Sequence, residues 1–471
     1  MRKTLLLITL LLTLGWHTIT NAQNPLLWGM TSGGGTDTIG TIFNIKGDGT
    51  GFQTLHSFDV ATGNTPYGTL LLGHDNKFYG LTIQGGANNK GTIFSFDSAN
   101  VYTDLHDFTG NAGNAPMGKL LQTSSGKMYG MTFYDDSIGA GVIFKYNPAT
   151  NTYAKMATLS GVGNGQSPRG SLMQASNGKM YGLTTAGGAH NSGTIVTIDT
   201  LTNVITNVHN FDLPTGINPF ADLIQASNGL LYGVTMYYGT TGDGIIFSFN
   251  PATNVFTDLF HFAMTNGAFP RGNLLQAPNG KLYGLTYGGG PTFNGVLFSY
   301  DITLNTLTDL VQFNGTNGSR PTGSLMQASN GNLYGMTSEG GANGFGNIFS
   351  YNISTNVITT IHDFNGTDGK RAFGSLIEAH TTSSLGISNY SAPETNTITI
   401  APNPATSSFT ISSGNRIQSI KVFNVIGEIV FHSEPNNIQS MINSSQFSKG
   451  IYFVQITDEN KNVVNRKVLV Q

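Results

Sequence analysis

Apolar and polar positions alternate in short bursts along most of this chain, and the bursts recur. Runs such as Leu333-Tyr334-Gly335-Met336-Thr337 and Asn347-Ile348-Phe349-Ser350-Tyr351 are rich in β-branched and aromatic residues and bounded by Asn-Gly, Gly-Gly or Thr-Asn. That pattern predicts strands joined by tight turns, and nowhere in the repeats does a 3.6-residue apolar period persist over helical length. An aromatic-Gly-x-Thr signature marks each recurrence, at Trp28, Tyr79, Tyr129, Tyr181, Tyr232, Tyr283 and Tyr334, a spacing of about 50 residues that signals a repeat architecture. Each unit holds four apolar runs, a to d, and four antiparallel strands per unit predict a β-propeller blade.

The recurrence is offset at its ends. The first unit opens on strand b, Leu26 to Thr31, with no a before it, whereas the last run, Gly374 to Ala379, is an a without b, c or d. Seven blades are complete only if these two segments pair, which also hides edge strands that would otherwise invite aggregation. The expected fold is all-β: a seven-bladed β-propeller with four-stranded blades over 23–379, closed by its own N- and C-terminal strands. An open solenoid would need capping units that the sequence does not show.

Outside the repeats the pattern changes. Arg2-Lys3, an apolar run from Leu5 to Leu14 and the small residues Thr20-Asn21-Ala22 read as a secretory signal peptide over 1–22, too short to span a bilayer. No other run is long and apolar enough for an integral membrane helix, so none is expected in the mature chain. Residues 380–396 read as a polar linker, and 397–471 as a small β-sandwich of short strands. The chain has no Cys, so an exported protein must rest on burial and strand pairing without disulfides.

Charged residues make up only 10% of the chain, net charge is −3 and Gly numbers 62. Scattered Lys and Arg give no footprint for nucleic acid, and no nucleic-acid partner is expected. The G-x-S-x-G, H-E-x-x-H and P-loop signatures are missing; no catalytic residue, metal ligand or cofactor is assigned.

Two resemblances follow from quoted motifs. Pro402-Asn403-Pro404, Val422-Phe423-Asn424-Val425-Ile426-Gly427, Lys449-Gly450-Ile451-Tyr452-Phe453-Val454 and Arg466-Lys467-Val468-Leu469-Val470-Gln471 resemble the C-terminal sorting domain of the type IX (Por) secretion system of Bacteroidetes. That resemblance implies passage across the outer membrane by the secretion machinery, then release or surface anchoring. Tyr181-Gly182-Leu183-Thr184 with Gly187-Gly188 and Gly193-Thr194-Ile195-Val196 resembles the GloVer tandem repeats, which carry no established activity.

Function should sit where repeats depart from their own pattern. In a four-stranded blade the b–c and d–a loops emerge on one face. The middle residue of each P-x-G turn varies, giving Tyr67, Met117, Arg169, Phe220, Arg271, Thr322 and Phe373, which form a ring at the channel mouth if strand a lines the channel. The b–c loops add Tyr134, Asp135 and Asp136 in the third unit, Tyr237 and Tyr238 with Asp243 in the fifth, and Tyr287 and Phe293 in the sixth. Rings beside carboxylates and amides suit sugar recognition, so the expected partner is a glycan or another surface macromolecule. The plainer reading is that these side chains merely cover loop backbone. A carbohydrate-active enzyme using Asp135, Asp136, Asp243 and Glu339 is the rival from another class, and a purely structural or adhesive surface protein is the second. Paired Asp135-Asp136 could also suit calcium, but no EF-hand loop surrounds them. His56, His106, His209 and His362 share one slot of strand d and read as rim residues, because one catalytic centre has no use for four equivalent copies.

Overall fold

The computed structural model describes residues 24–379, 398–403, 405–424, 429–459 and 463–470. The expected signal peptide, the linker and the motif residues Pro404, Val425, Ile426, Gly427 and Gln471 lie outside the described residues. The chain divides into two compact units.

The first unit contains, among the described residues, seven antiparallel sheets in which the strand order runs a-b-c-d. Sequence reads directly into this geometry. In blade 1, strand b (Leu26–Thr31) lies between c (Thr41–Lys46) and an a strand from the far end of the repeats, Ile377–Glu378. The register is Leu27 opposite Glu378 and Trp28 opposite Ile377, so the ring closes as the offset ends require. Each interface between blades has its own apolar filling; Leu27, Phe43, Met336, Ile348, Phe364 and Leu376, for example, cement blade 7 to blade 1.

Two repeat signatures acquire physical causes. In six blades the Gly after the signature aromatic is required because the Phe of strand c lies across it: a Cβ at Gly80 would overlap the Phe94 ring. The Thr at the end of strand b is buried and its Oγ1 accepts a hydrogen bond from the first amide of strand c, as at Thr184 with Thr194 N at 3.0 Å. Every blade also bulges between c and d, at Ile42/Phe43 in the first and Ile348/Phe349 in the last, which adds twist to the outer strand.

Strand a departs from expectation. It is reduced to two ladder residues, such as Met326–Gln327, because the P-x-G turn breaks it. Upstream of that turn the chain pairs again with the continuation of b, through Asn64–Pro66 and Ala268–Pro270 in two blades and single bridges in the other five. The residue before each Pro position, including Thr65, Ser167, Phe269 and Arg320, sits at φ between 53° and 58°. Its amide donates to a b–c loop carbonyl of the preceding blade, as from Phe269 N to Asp243 O at 2.9 Å. That hydrogen bond across the seam offsets a left-handed conformation costing about 1–2 kcal/mol.

The second unit is all-β. A long strand, Ser408–Phe423, pairs with Thr399–Ala401 and Asn437–Asn443 over its first half, and with Ile429–Ser433 and Gly450–Asp458 over its second. Val463–Val470 completes the second layer. Where short strands were expected, one long strand thus serves both halves across an irregularity at Ser412/Ile417. Phe409, Ile411, Ile420, Val454 and Val468 fill a single core between them. The Pro-Asn motif has a structural task here, since Asn403 Oδ1 accepts the Leu469 amide at 2.9 Å.

Candidate functional site at the channel mouth

The P-x-G turns converge on the central axis. A Cβ on Gly68 would collide with the carbonyl of Gly118, one on Gly118 with Gly170, and so on through Gly323 and Gly374 back to Gly68. Backbone therefore touches backbone around the ring, which is why these positions are Gly or, at Ala221, the next smallest residue. The residue after each forms a second circle: Ser171 N donates to Asp222 Oδ1 at 2.5 Å, Asp222 N to Asn273 Oδ1 at 2.6 Å, Asn273 N to Ser324 Oγ at 2.7 Å, and Ser375 N to Thr69 Oγ1 at 2.9 Å. Only the step from Thr69 to Lys119 lacks an acceptor side chain on the next blade.

The structure brings all seven variable turn residues to one channel of about 60 Å³. Pockets that engulf drug-sized ligands usually exceed about 300 Å³, so this mouth admits a chemical group and not a sugar ring. Its walls interlock. Tyr67 and Phe373 pack with centroids 4.8 Å apart. Arg169 lies over Phe133 at 4.6 Å and Phe220 at 4.8 Å, and Arg271 lies over Tyr287 at 3.6 Å with Phe220 at 5.6 Å. Arg320 then faces Tyr287 at 5.6 Å and closes the series on Glu339, with Nη1 3.1 Å from both carboxylate oxygens. Burial pushes the Tyr67 phenol above its usual value, and pulls the Arg169 guanidinium below its own.

The loop candidates divide. Asp135 is withdrawn from any ligand: it is buried, one oxygen accepts Ser137 Oγ–H, and the other faces the amides of Ile138 at 3.2 Å and Ala140 at 3.3 Å. It supports its own turn, an Asx-type role, and these donors outweigh burial to hold its carboxyl below the usual range. Asp136 pairs with Lys90 at 3.2 Å. Asp243 is buried, which pushes its carboxyl upward, and Glu339 is engaged by Arg320. The four carboxylates proposed for hydrolysis are thus spread over three blades, with Asp135, Asp136 and Glu339 each tied up in a local contact of its own. Tyr237 is half-buried against Phe269 at 5.4 Å.

Tyr134 and Tyr238 remain exposed at 45% each, with Phe293 at 64% and Phe345 at 39%. Among the described residues of the propeller, these four are all the exposed Phe, Tyr and Trp side chains, and each stands on a b–c loop. Two occupy left-handed backbone: Tyr238 at φ 65° where most blades have the first Gly of Gly-Gly, and Phe293 at φ 57° where two blades have Asn. Sequence reasoning missed Arg320 and Phe345 as parts of this face. A signal was available, since the residue before the turn Pro varies from Thr65 to Phe269 to Arg320, and the residue two before strand c from Lys90 to Asn294 to Phe345.

The histidines are not simple rim residues. His56 stacks on Tyr102, His106 on Tyr153, His209 on Phe256 and His362 on Phe52, at 3.9 to 4.3 Å and within 8° of parallel. Each joins strand d of one blade to the next.

Residues 16–196 and 167–400 match the sequence profile of the Gloeobacter/Verrucomicrobia repeat, and 399–471 match the secretion system C-terminal sorting domain. The latter places export on the type IX route, to the cell surface or beyond. An endo-acting ulvan lyase of Formosa agariphila is 38% identical over 77 residues, 16% of this chain; the chain spans 15% of the length of this curated relative. Among solved structures, a candidate 6-phosphogluconolactonase of Bacteroides fragilis superposes with a TM-score of 0.53 at 16% identity, covering 76% of this chain and 99% of that one. The periplasmic gluconolactonase of Pseudomonas aeruginosa gives 0.53 at 13%, covering 75% and 99%. At such identities the likeness concerns the propeller fold alone.

Proposed function

Because the chain belongs to the Gloeobacter/Verrucomicrobia repeat family and ends in a type IX sorting domain, we propose that it is a secreted or surface-held binding module. In this reading a signal peptide over 1–22 is removed, a propeller over 23–379 captures a glycan or other surface molecule, and 397–471, after a linker, engages the secretion machinery. The observation that carries the reading is the confinement of exposed Phe and Tyr rings to the b–c loops of one face. Exposed rings stack on sugar C–H faces. Holding Tyr238 and Phe293 in left-handed backbone costs folding free energy while their rings stay largely in solvent, as expected of residues retained for contact with something else.

A glycan array with the mature chain tests this. Binding should be lost when Tyr238→Gly and Phe293→Asn restore the residues that other blades carry at these slots. Undiminished binding by that double variant, or no binding to any glycan or surface preparation, would defeat the proposal; release of shortened product would favour a carbohydrate-active enzyme instead.

A further inference from the structure

Resting on that reading, we infer that the channel mouth is a seat for one oxyanion, a carboxylate or a sulfate or phosphate ester carried by the captured molecule, held by Arg169 and Arg271. Arg320 shows what a structurally neutralised guanidinium looks like in this fold, since it grips Glu339. Arg169 and Arg271 have no such partner among the described residues. The one side-chain acceptor that Arg169 reaches among the described residues is the weak thioether of Met117, with Sδ 3.8 Å from Nη1, while the phenols of Tyr67, Tyr134 and Tyr237 and the like charge of Arg271 act on it electrostatically. Arg271 Nε is buried without a hydrogen-bond partner. Aromatic faces offset part of the desolvation, roughly 0.5–2 kcal/mol each, but they supply no acceptor for the N–H groups.

Two cations drawn to one ring, Phe220, repel each other and leave donors unused. An acceptor with several oxygens answers both defects, because guanidinium forks bind carboxylate and phosphate-like groups with paired hydrogen bonds. The nearest acid in the channel, Asp222, is committed to the circle below: its Oδ1 accepts Ser171 N and its Oδ2 accepts Asn273 Nδ2 at 2.7 Å. The volume agrees. About 60 Å³ has room for a few waters or one small oxyanion, while the sugar carrying it would rest on the exposed rings outside. The mouth would therefore read charge, and the surrounding loops would read the glycan.

Two measurements on the mature chain test this, with Arg169→Met/Arg271→Met as the variant; Met keeps most of the apolar stem that packs on the rings. First, thermal midpoints are recorded in sodium sulfate and in sodium chloride of equal ionic strength. Sulfate should raise the wild-type midpoint by a few degrees more than it raises the variant's, a comparison that cancels the general salting effect. Equal shifts would overturn the inference. Second, calorimetry compares an oligogalacturonate, a sulfated galactan oligosaccharide and a neutral galactan oligosaccharide. One anionic probe should bind at least tenfold tighter than the neutral one and lose that margin in the variant, and which probe does so identifies the group. Equal affinity for neutral and anionic probes would sink the oxyanion seat and leave the glycan module standing. A sulfate-specific shift without binding of any glycan would do the reverse.

Discussion

The imidazole of His209 lies flat on the ring of Phe256, 4.0 Å between centroids and 6° from parallel, across the seam between two blades. The same stack recurs wherever the next blade offers an aromatic ring on strand d. Where it offers Ile205, Leu307 or Ile358, the slot holds Ala157, Phe260 or Val311 instead. The histidine is thus selected by its neighbour's ring.

Acid should loosen these seams. Burial holds His56, His106 and His209 below the usual imidazole value, His209 at about 4 against 6.5. The folded chain then binds fewer protons than the unfolded one through this window, so the contribution is whole above pH 6.5 and is lost as pH falls toward 4. We expect a loss on the order of 2 kcal/mol from His209, discounted for its partly solvated edge, with His56 and His106 acting in the same direction. Urea unfolding at pH 7 and pH 4.5 measures it, and His56→Phe/His106→Phe/His209→Phe should flatten the difference. Equal wild-type stability at both pH values would refute the neutral stacks.

Ala scanning of the signature Gly should discriminate between blades. Gly80→Ala drives a methyl into the Phe94 ring, an overpacking cost of roughly 1–3 kcal/mol. Gly182→Ala should cost about 1 kcal/mol or less, because blade 4 has Val196 where others have Phe and the nearest atom, Leu172 Cδ2, is 3.0 Å away. Denaturant midpoints for the two variants should differ accordingly; identical losses would argue against the ring as the cause.

Closure of the circle is testable by truncation. A chain ending at Ala379 should fold, whereas one ending at Phe373 loses Leu376, buried to 1% exposure, and leaves strand b of blade 1 paired on one side only. The expected penalty is roughly 3–5 kcal/mol from the core side chain alone, with association through the bared edge. Light scattering and thermal unfolding report both. Equal midpoints would mean that the last strand contributes nothing to the ring.

Relieving backbone strain should stabilise the proposed binding face. Phe293→Asn places a residue tolerant of left-handed backbone at φ 57°, and a gain of roughly 0.5–1 kcal/mol is expected. A loss of stability would show that Phe293 packs for the fold's sake.

Architecture was legible because most blades repeat one solution: Gly under Phe, Thr beneath the c strand, Asn-Gly between a and b. Even closure could be read, since an orphan a and a missing a leave one arrangement. The candidate face was only half legible. That Tyr67, Arg169, Phe220, Arg271 and Phe373 meet follows from their shared slot, but the interleaving of Phe133, Tyr287 and Arg320 depends on b–c and d–a loops approaching one another in space. Asp135 misled for a complementary reason. An aspartate in a divergent loop looks free in sequence, and only coordinates reveal amides closing around it. Strand a was overextended because Leu325 and its equivalents are apolar, although the left-handed residue and Gly flanking the Pro position break the ladder.

Because each turn already presses on the next around the axis, the hole resembles an iris shut to its stop. It cannot narrow further, and the hydrogen bonds that run from turn to turn hold it against widening. On the proposed reading, a captured molecule is gripped from above, on a platform whose diameter is fixed before the guest arrives.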